Sequence, residues 1–426
     1  MVGIATKIQP FGSNEAEVTL IGGTSGYGES VVVRYGENEW AVIDSCIDTL
    51  TQTCLPIAYL EDIGVDIGSQ VKYVICTHWH DDHIKGLHKV LEACSSEVIF
   101  CVAIASEKLS FLYEIQRSNL YEPDRGVRRE LILAMDKVKE KGIKVKYLLQ
   151  DLPVFVTANS KCITLSPSQK ELDNFFNELA YAISGQGHVI AQKEILKTIP
   201  VAEIETADNI ADEVFSSLEG SIDVEPAEIT EIDLQELGRL EENAKQSKPN
   251  INDRSVALLF TICGHHVVLG ADLEVTSDSE SGWQSVNDCM SMVGVTAGIF
   301  KIPHHGSSNG YYELFLRNHI KPTATGKVST WLKGKKVLPE KAILHNYREY
   351  LSGLYITTDP SYLIGKFSSP EYKKLMEEFT ESIVDIKNQC GIIQSRLDLT
   401  NGSDDWSTKL YGSATVVNQA LIDRMG

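Results

Sequence analysis

The segment Cys76-Thr77-His78-Trp79-His80-Asp81-Asp82-His83 constrains this chain more than any other. It sets three imidazoles and two carboxylates within six residues, in a chain with only eleven histidines. Imidazole nitrogen and carboxylate oxygen are the donors that zinc and neighbouring transition metals take. The preceding Val71-Lys72-Tyr73-Val74-Ile75-Cys76 reads as a buried strand. Ile84 to Ala93 reads as a helix with Leu87, Val90 and Leu91 on its inward face. The cluster therefore sits on a strand-to-helix turn, where ligands can converge on one point.

Two later stretches have the same form. Val267-Val268-Leu269-Gly270-Ala271-Asp272 is a strand ending in an acid. Gly298-Ile299-Phe300-Lys301-Ile302-Pro303-His304-His305-Gly306-Ser307 is a strand ending in a histidine pair. Alone, the acid reads equally well as a turn residue, and the pair as a polar loop. In this order, after the first cluster, they read as the rest of a metal site.

His-x-His-x-Asp-His after an apolar strand ending in Thr77 resembles the signature of the metallo-β-lactamase superfamily. The resemblance implies an α/β fold, a four-layer αββα sandwich, holding two divalent ions. Zinc fits the donors best, with manganese or iron also compatible. His78 and His80 match ligands of the first ion, Asp82 and His83 ligands of the second, and Asp272 the carboxylate shared by both. One of His304 and His305 matches the last ligand of the second ion. His304, first off the strand, is the expected ligand, and His305 then faces substrate. Asp81 matches no ligand; it and Asp44, at the end of Trp40-Ala41-Val42-Ile43-Asp44, are expected to support the ligands from behind. Relatives often add a third histidine to the first ion. Here the matching stretch, Ile163 to Ser168, carries Ser166, and His188 has no strand end to hold it. A weaker, more exchangeable first ion is expected.

The resemblance covers roughly residues 15 to 365. Asn252 to Phe260, then the Gly-Ala-Asp strand, then Lys301-Ile302-Pro303-His304-His305-Gly306-Ser307 look like the hydrolase domain attached to bacterial DNA-uptake channels, and like its free-standing bacterial relatives. That branch implies a phosphodiesterase or nuclease acting on nucleic acid or nucleotides. Asp82 and Asp272 would hold the metals and orient the nucleophile, His305 or a metal-bound water would protonate the leaving oxygen, and Ser307, Ser308 and Lys85 would contact phosphate. Hydrolysis of a lactam, lactone or thioester is the alternative. A partner-regulated effector or scaffold is the third reading.

Charge bears on the partner. The formal net charge is −20, and non-specific binding to nucleic acid rests on Lys and Arg, which argues against a broad basic groove. The acid is uneven, however: Val201 to Asn243 contains a single basic residue, Arg239. Lys85, Lys301, Arg254 and Lys327 are the cations expected to be available for phosphate. Met1 to Pro10 lacks the apolar core of a secretion signal, and no apolar run is long enough for a bilayer. The nine cysteines follow no framework spacing. A cytoplasmic enzyme with reduced cysteines and no membrane partner is expected. Cys46 and His345 read as structural residues.

The hydrolase domain is expected over 1–365, interrupted by an acidic, largely helical insertion over 168–250. Residues 366–426 read as an added module. In it a helix opens at Ser369-Pro370, a cap followed by a first-turn proline, and stops at Gly391; a β-hairpin follows. The insertion or this module would serve a protein partner or a second copy of the chain.

Overall fold

Apolar alternation along the strands, with period two, lets each sheet bury both of its faces. The structure, a computed structural model, describes residues 8, 12, 14–23, 26–49, 51–103, 127–171, 252–333, 336–363, 390–400 and 405–425. The chain divides into two units, 1–172 with 250–426, and 173–249. All described residues belong to the first unit; the expected insertion helices, His188 and the helix from Ser369 lie outside them.

In chain order the strands are β1 (Glu15–Gly22), β2 (Glu29–Gly36), β3 (Glu39–Ile43), β4 (Val71–Cys76), β5 (Ile99–Ala103), β6 (Lys144–Leu148), β7 (Pro153–Val156), β8 (Ser160–Thr164), β9 (Leu258–Ile262), β10 (His265–Leu269), β11 (Ala297–Lys301), β12 (Ile320–Val328), β13 (Trp331–Lys333), β14 (Lys336–Leu338), β15 (Gly353–Ile356), β16 (Gly391–Asp398), β17 (Ser407–Gly412) and β18 (Thr415–Val416). The helices are α1 (Leu55–Asp62), α2 (Ile67–Gln70), α3 (Asp81–Ile84), α4 (Leu87–Ala93), α5 (Val127–Lys141), α6 (Gly282–Val293), α7 (Glu313–His319), α8 (Lys341–Tyr347) and α9 (Gln419–Arg424).

The first sheet has the order β17-β16-β1-β2-β3-β4-β5-β6, and the second β18-β15-β12-β11-β10-β9-β8-β7. Val18, Leu20, Val33, Ile43 and Ile75 of the first pack with Leu258, Phe260, Val267 and Ile299 of the second in one core. Residues of opposite parity, Val32, Val42 and Val74, pack with Tyr59, Leu87, Val90, Leu91 and Val138 from α1, α4 and α5. Val268 and Phe300 pack with Trp283, Met290, Phe315, Tyr347 and Leu421 from α6 to α9. Helices, sheet, sheet and helices thus form the four expected layers.

The tail differs from its expectation. β16 pairs antiparallel with β1 from Glu15↔Asp398 to Gly22↔Gly391, and β17 continues the sheet beyond it. β18 pairs with β15 of the other sheet. These strands are therefore part of the sandwich rather than an appended module. Ile393 and Leu397 join the core between the sheets, and β16 covers what would otherwise be an open apolar edge on β1.

Candidate metal centre

Two pairs of parallel strands deliver the site. β3 and β4 run parallel, so Asp44 and the Thr77–His83 turn leave the sheet at the same end. β10 and β11 do the same in the second sheet, carrying Asp272 and His304-His305. Gly270 permits the close approach at β10: a side chain there would stand 3.0 Å from the Lys301 carbonyl oxygen and from Trp283.

Among the described residues, three groups of side chains lie close enough to share an ion: Glu29, Asp44 and His83 gather at His83 Nδ1, and the other two meet at Asp272. Asp82, His83, Asp272 and His305 form one, all buried; His78, His80 and Asp272 form the other, with His80 partly exposed. His83 Nε2 lies 3.3 Å from Asp272 Oδ1. His305 Nε2 lies 3.2 Å from Asp82 Oδ2 and 3.5 Å from Asp272 Oδ2. In the other group His78 Nε2 and His80 Nδ1 are 3.1 Å apart, and His78 Nε2 is 3.9 Å from Asp272 Oδ2. A tetrahedral ion with bonds of about 2.0–2.1 Å sets its ligand atoms roughly 3.3 Å apart, so most of these separations suit a shared ion. His83 Nε2, His305 Nε2 and Asp272 Oδ1 are buried, and none makes an aligned hydrogen bond. Leaving such atoms unsatisfied is costly, and a cation held between them would remove that cost. The residues therefore fit two divalent ions sharing Asp272.

The candidate ligands are held from behind. Asp44, at a backbone φ of 58°, accepts from the Thr77 amide at 2.8 Å and the Thr77 hydroxyl at 2.7 Å. Its other contact, 2.8 Å to His83 Nδ1, fixes that ring with Nε2 towards the cluster. His305 Nδ1 meets Ser329 Oγ at 2.8 Å, and Ser329 in turn hydrogen-bonds to Glu29. Glu29 is fully buried and also pairs with Lys301. Burial would raise the Glu29 carboxyl pKa, but Lys301, His83 and His305 outweigh it and hold it low. Glu29 and Ser329 were not singled out from sequence: an acid at the start of an apolar strand has no local mark of this role.

Electrostatics separate the histidines. Burial lowers the pKa of His78 strongly, and His83 adds to the shift; burial also lowers His80. For His83 burial is outweighed by Asp272, Glu29 and Asp44, and its pKa is raised well above the usual value. Asp272 is driven well below the carboxylate range, because His305 and His83 overcome its burial.

Several expectations need correction. His305, not His304, enters the cluster. Both residues have left-handed backbone angles, φ 45° and 50°, so the chain reverses here and strand order does not decide which ring turns inward. His304 instead contacts Asn309 Oδ1 at 2.9 Å, Glu274 Oε1 at 3.1 Å and Asn252 Nδ2 at 3.2 Å. Lys301 and Lys327 are buried and unavailable to phosphate. Lys301 donates to the Ala271 carbonyl at 2.8 Å. Lys327 donates to the carbonyls of Val18 and Ile393 between the sheets, and burial pushes its pKa down to about 7. Ser307 and Ser308 turn their hydroxyls to Glu340, at 3.4 and 2.9 Å. Ser166 donates to the Ser255 carbonyl at 2.8 Å. Cys46 is buried with a free thiol, and His345 is exposed on α8.

Asp81 and Lys85 stand at the rim, partly exposed, 3.8 Å apart. Lys85 Nζ also lies 5.1 Å from the centre of the Tyr27 ring. Trp331, on β13, lies with its ring centre 6.3 Å from that of His305 and 6.4 Å from that of Tyr27.

The family model described as Metallo-beta-lactamase superfamily matches residues 23–157. That span contains Asp44 and His78 to His83 and ends before Asp272 and His305. Among solved structures, the chain is similar to the metallo-beta-lactamase fold protein YhfI from Bacillus subtilis, with 10% identity, 80% of this chain and 95% of that one covered, and a TM-score of 0.36. It is similar to a metallo-beta-lactamase motif mutant from Cronobacter sakazakii, with 10% identity, coverage of 69% and 79%, and a TM-score of 0.31. It is also similar to Zn(2+)-bound PqqB from Methylobacterium extorquens, with 10% identity, coverage of 65% and 61%, and a TM-score of 0.28. No curated protein matches the chain. The matched span together with the two-sheet architecture identifies the metallo-β-lactamase sandwich fold. Among the described residues no helix is long and apolar enough to cross a membrane.

Proposed function

We propose that this chain, with its metallo-β-lactamase fold, is a metal-dependent hydrolase with a binuclear centre that cleaves phosphodiesters of nucleotide size. The observation that carries the hydrolase reading is the convergence of His78, His80, Asp82, His83 and His305 on Asp272, with His83 Nε2, His305 Nε2 and Asp272 Oδ1 buried and without aligned partners. Two divalent ions there would lower the pKa of a water between them and offset the charge that builds on the scissile group. Asp272 and Asp82 would supply the anionic ligands. Asp44 and Ser329 would keep His83 and His305 in the tautomer that turns Nε2 inward. Lys85 at the rim would meet an anionic oxygen.

The phosphodiester preference draws on the resemblance of the Lys301–Ser307 stretch to the DNA-uptake hydrolase branch. Size follows from charge: with a net charge of −20 and two of the four candidate cations buried, a long polyanion would be held poorly. The test is hydrolysis of bis(p-nitrophenyl) phosphate and of nucleotide esters by metal-loaded protein, beside single- and double-stranded DNA, RNA, a lactone and a thioester. Cleavage of the small phosphodiesters that disappears on chelation and in Asp82→Ala is expected. Metal-dependent cleavage of the lactone or thioester alone would contradict the substrate and leave the metal centre standing.

A further inference from the structure

The glycine-rich loop before β2 is too tightly packed to be a simple connector. Gly28 has φ 102°, and a side chain there would meet Cys46 Cβ at 2.8 Å and the Asp82 carbonyl oxygen at 3.5 Å. Gly26 has φ 69° and leaves only 2.4 Å to Leu363 and 3.4 Å to Thr330 for a side chain. Both positions favour glycine, by angle and by space. The Gly23 amide donates to the Gly28 carbonyl at 2.6 Å, closing the loop. Tyr27 is therefore carried on a fixed turn that sits on the metal ligand Asp82 and on the residues leading into β13.

Trp331 is anchored from the other side. The β13–β14 pair joins Trp331 to Leu338. The next residue, Pro339, packs so closely on Gly306 that a side chain there would come within 2.5 Å of it. Gly306 directly follows His305. The two rings lean together at 35° with centres 6.4 Å apart, and both remain partly exposed. Large rings left partly uncovered at the mouth of a buried polar site are the usual platform for a planar group. Lys85 closes the corner with a cation.

We infer that Tyr27 and Trp331 form a ring-binding subsite beside the metal centre, so that the substrate carries a planar heterocycle next to its scissile phosphodiester, with Lys85 on the phosphate. This rests on the phosphodiesterase reading and narrows it to nucleotide-like esters. Stacking on an aromatic side chain is sequence-tolerant, and its loss costs on the order of tenfold or more in affinity per base. The subsite therefore selects for a ring and not for one particular base.

Two measurements test it. The first is kcat/KM for thymidine 5′-p-nitrophenyl phosphate against methyl p-nitrophenyl phosphate, which share a leaving group. Wild type should prefer the nucleoside ester by about tenfold or more, mainly through KM. In Trp331→Leu that ratio should collapse towards one, and Trp331→Phe should recover most of it. Lys85→Gln should lower both esters by the same factor. The second is binding of adenosine monophosphate to metal-loaded protein, followed by calorimetry so that turnover is not needed; Trp331→Leu should weaken it about tenfold. No preference in wild type, or equal loss of both esters in Trp331→Leu, would overturn the subsite. If neither ester is cleaved, the phosphodiesterase reading fails separately, and the binding measurement still decides whether the corner takes a ring.

Discussion

The two candidate ligand groups that meet at Asp272 differ in almost everything else. One has four candidate ligands, Asp82, His83, Asp272 and His305, all buried. Two of these have a fixed orientation, since Asp44 and Ser329 hold the rings of His83 and His305; Asp82 lies in α3 directly after its first residue, Asp81. The other half has three candidate ligands, and His80 is partly open to solvent. Its outer support is thinner, with His78 Nδ1 3.1 Å from the Thr77 hydroxyl. A closed ligand set is the mark of a retained ion, and an open position the mark of a working one. One ion here would therefore be resident and the other exchangeable, with the exchangeable side facing substrate.

The largest effect should come from the shared ligand. Asp272→Ala should abolish binding of both ions, and activity should fall more than about hundredfold, since loss of outer partners alone costs roughly 10–100-fold. Metal content by mass spectrometry checks it; one ion retained at full affinity would break the idea of a shared carboxylate. Next come the separating variants. His305→Ala should remove the tight binding step, whereas His80→Ala should remove the weak step and leave one tightly held ion. If both variants lose the same step, the halves are not distinct.

Outer partners should act on one half only. Asp44→Asn and Ser329→Ala should each weaken the tight step by about 10–100-fold and barely change the other, which competition with a chromophoric chelator resolves. Proton linkage gives the smallest and most selective effect. The raised pKa of His83 leaves it protonated in the ion-free protein below that value, so the ion must displace a proton. The lowered pKa values of His78 and His80 leave those rings neutral. Affinity of the four-ligand half should therefore fall as pH drops below the raised His83 value, by up to about tenfold per pH unit for the one displaced proton, and that of the other half should stay nearly flat. Equal slopes in calorimetric titrations would contradict the assignment.

Much of this was legible in the sequence because it is local. The His78–His83 turn is one continuous stretch, and Asp272 ends an apolar strand, so both could be read from pattern. The choice between His304 and His305 was not legible. It depends on two consecutive left-handed residues, and neither alternation nor composition encodes that reversal in a non-glycine pair. Lys301 and Lys327 looked like surface charge because nothing near them in sequence is acidic. Their partners, Glu29 for Lys301 and the Val18 and Ile393 carbonyls for Lys327, come from distant strands. β16 was readable as a strand, but its partner β1 lies at the other end of the chain, and pairing over that distance has no sequence signature.

A binuclear centre in this fold would have unequal halves, with His305 in the tighter one. Its most direct test is titration of metal-free protein with zinc, in wild type, His305→Ala and His304→Ala. Two ions per chain in wild type, bound in a tight and then a weak step, with the tight step lost in His305→Ala and both steps kept in His304→Ala, is the predicted result. One ion per chain, two equal sites, or loss of the tight step in His304→Ala would contradict it.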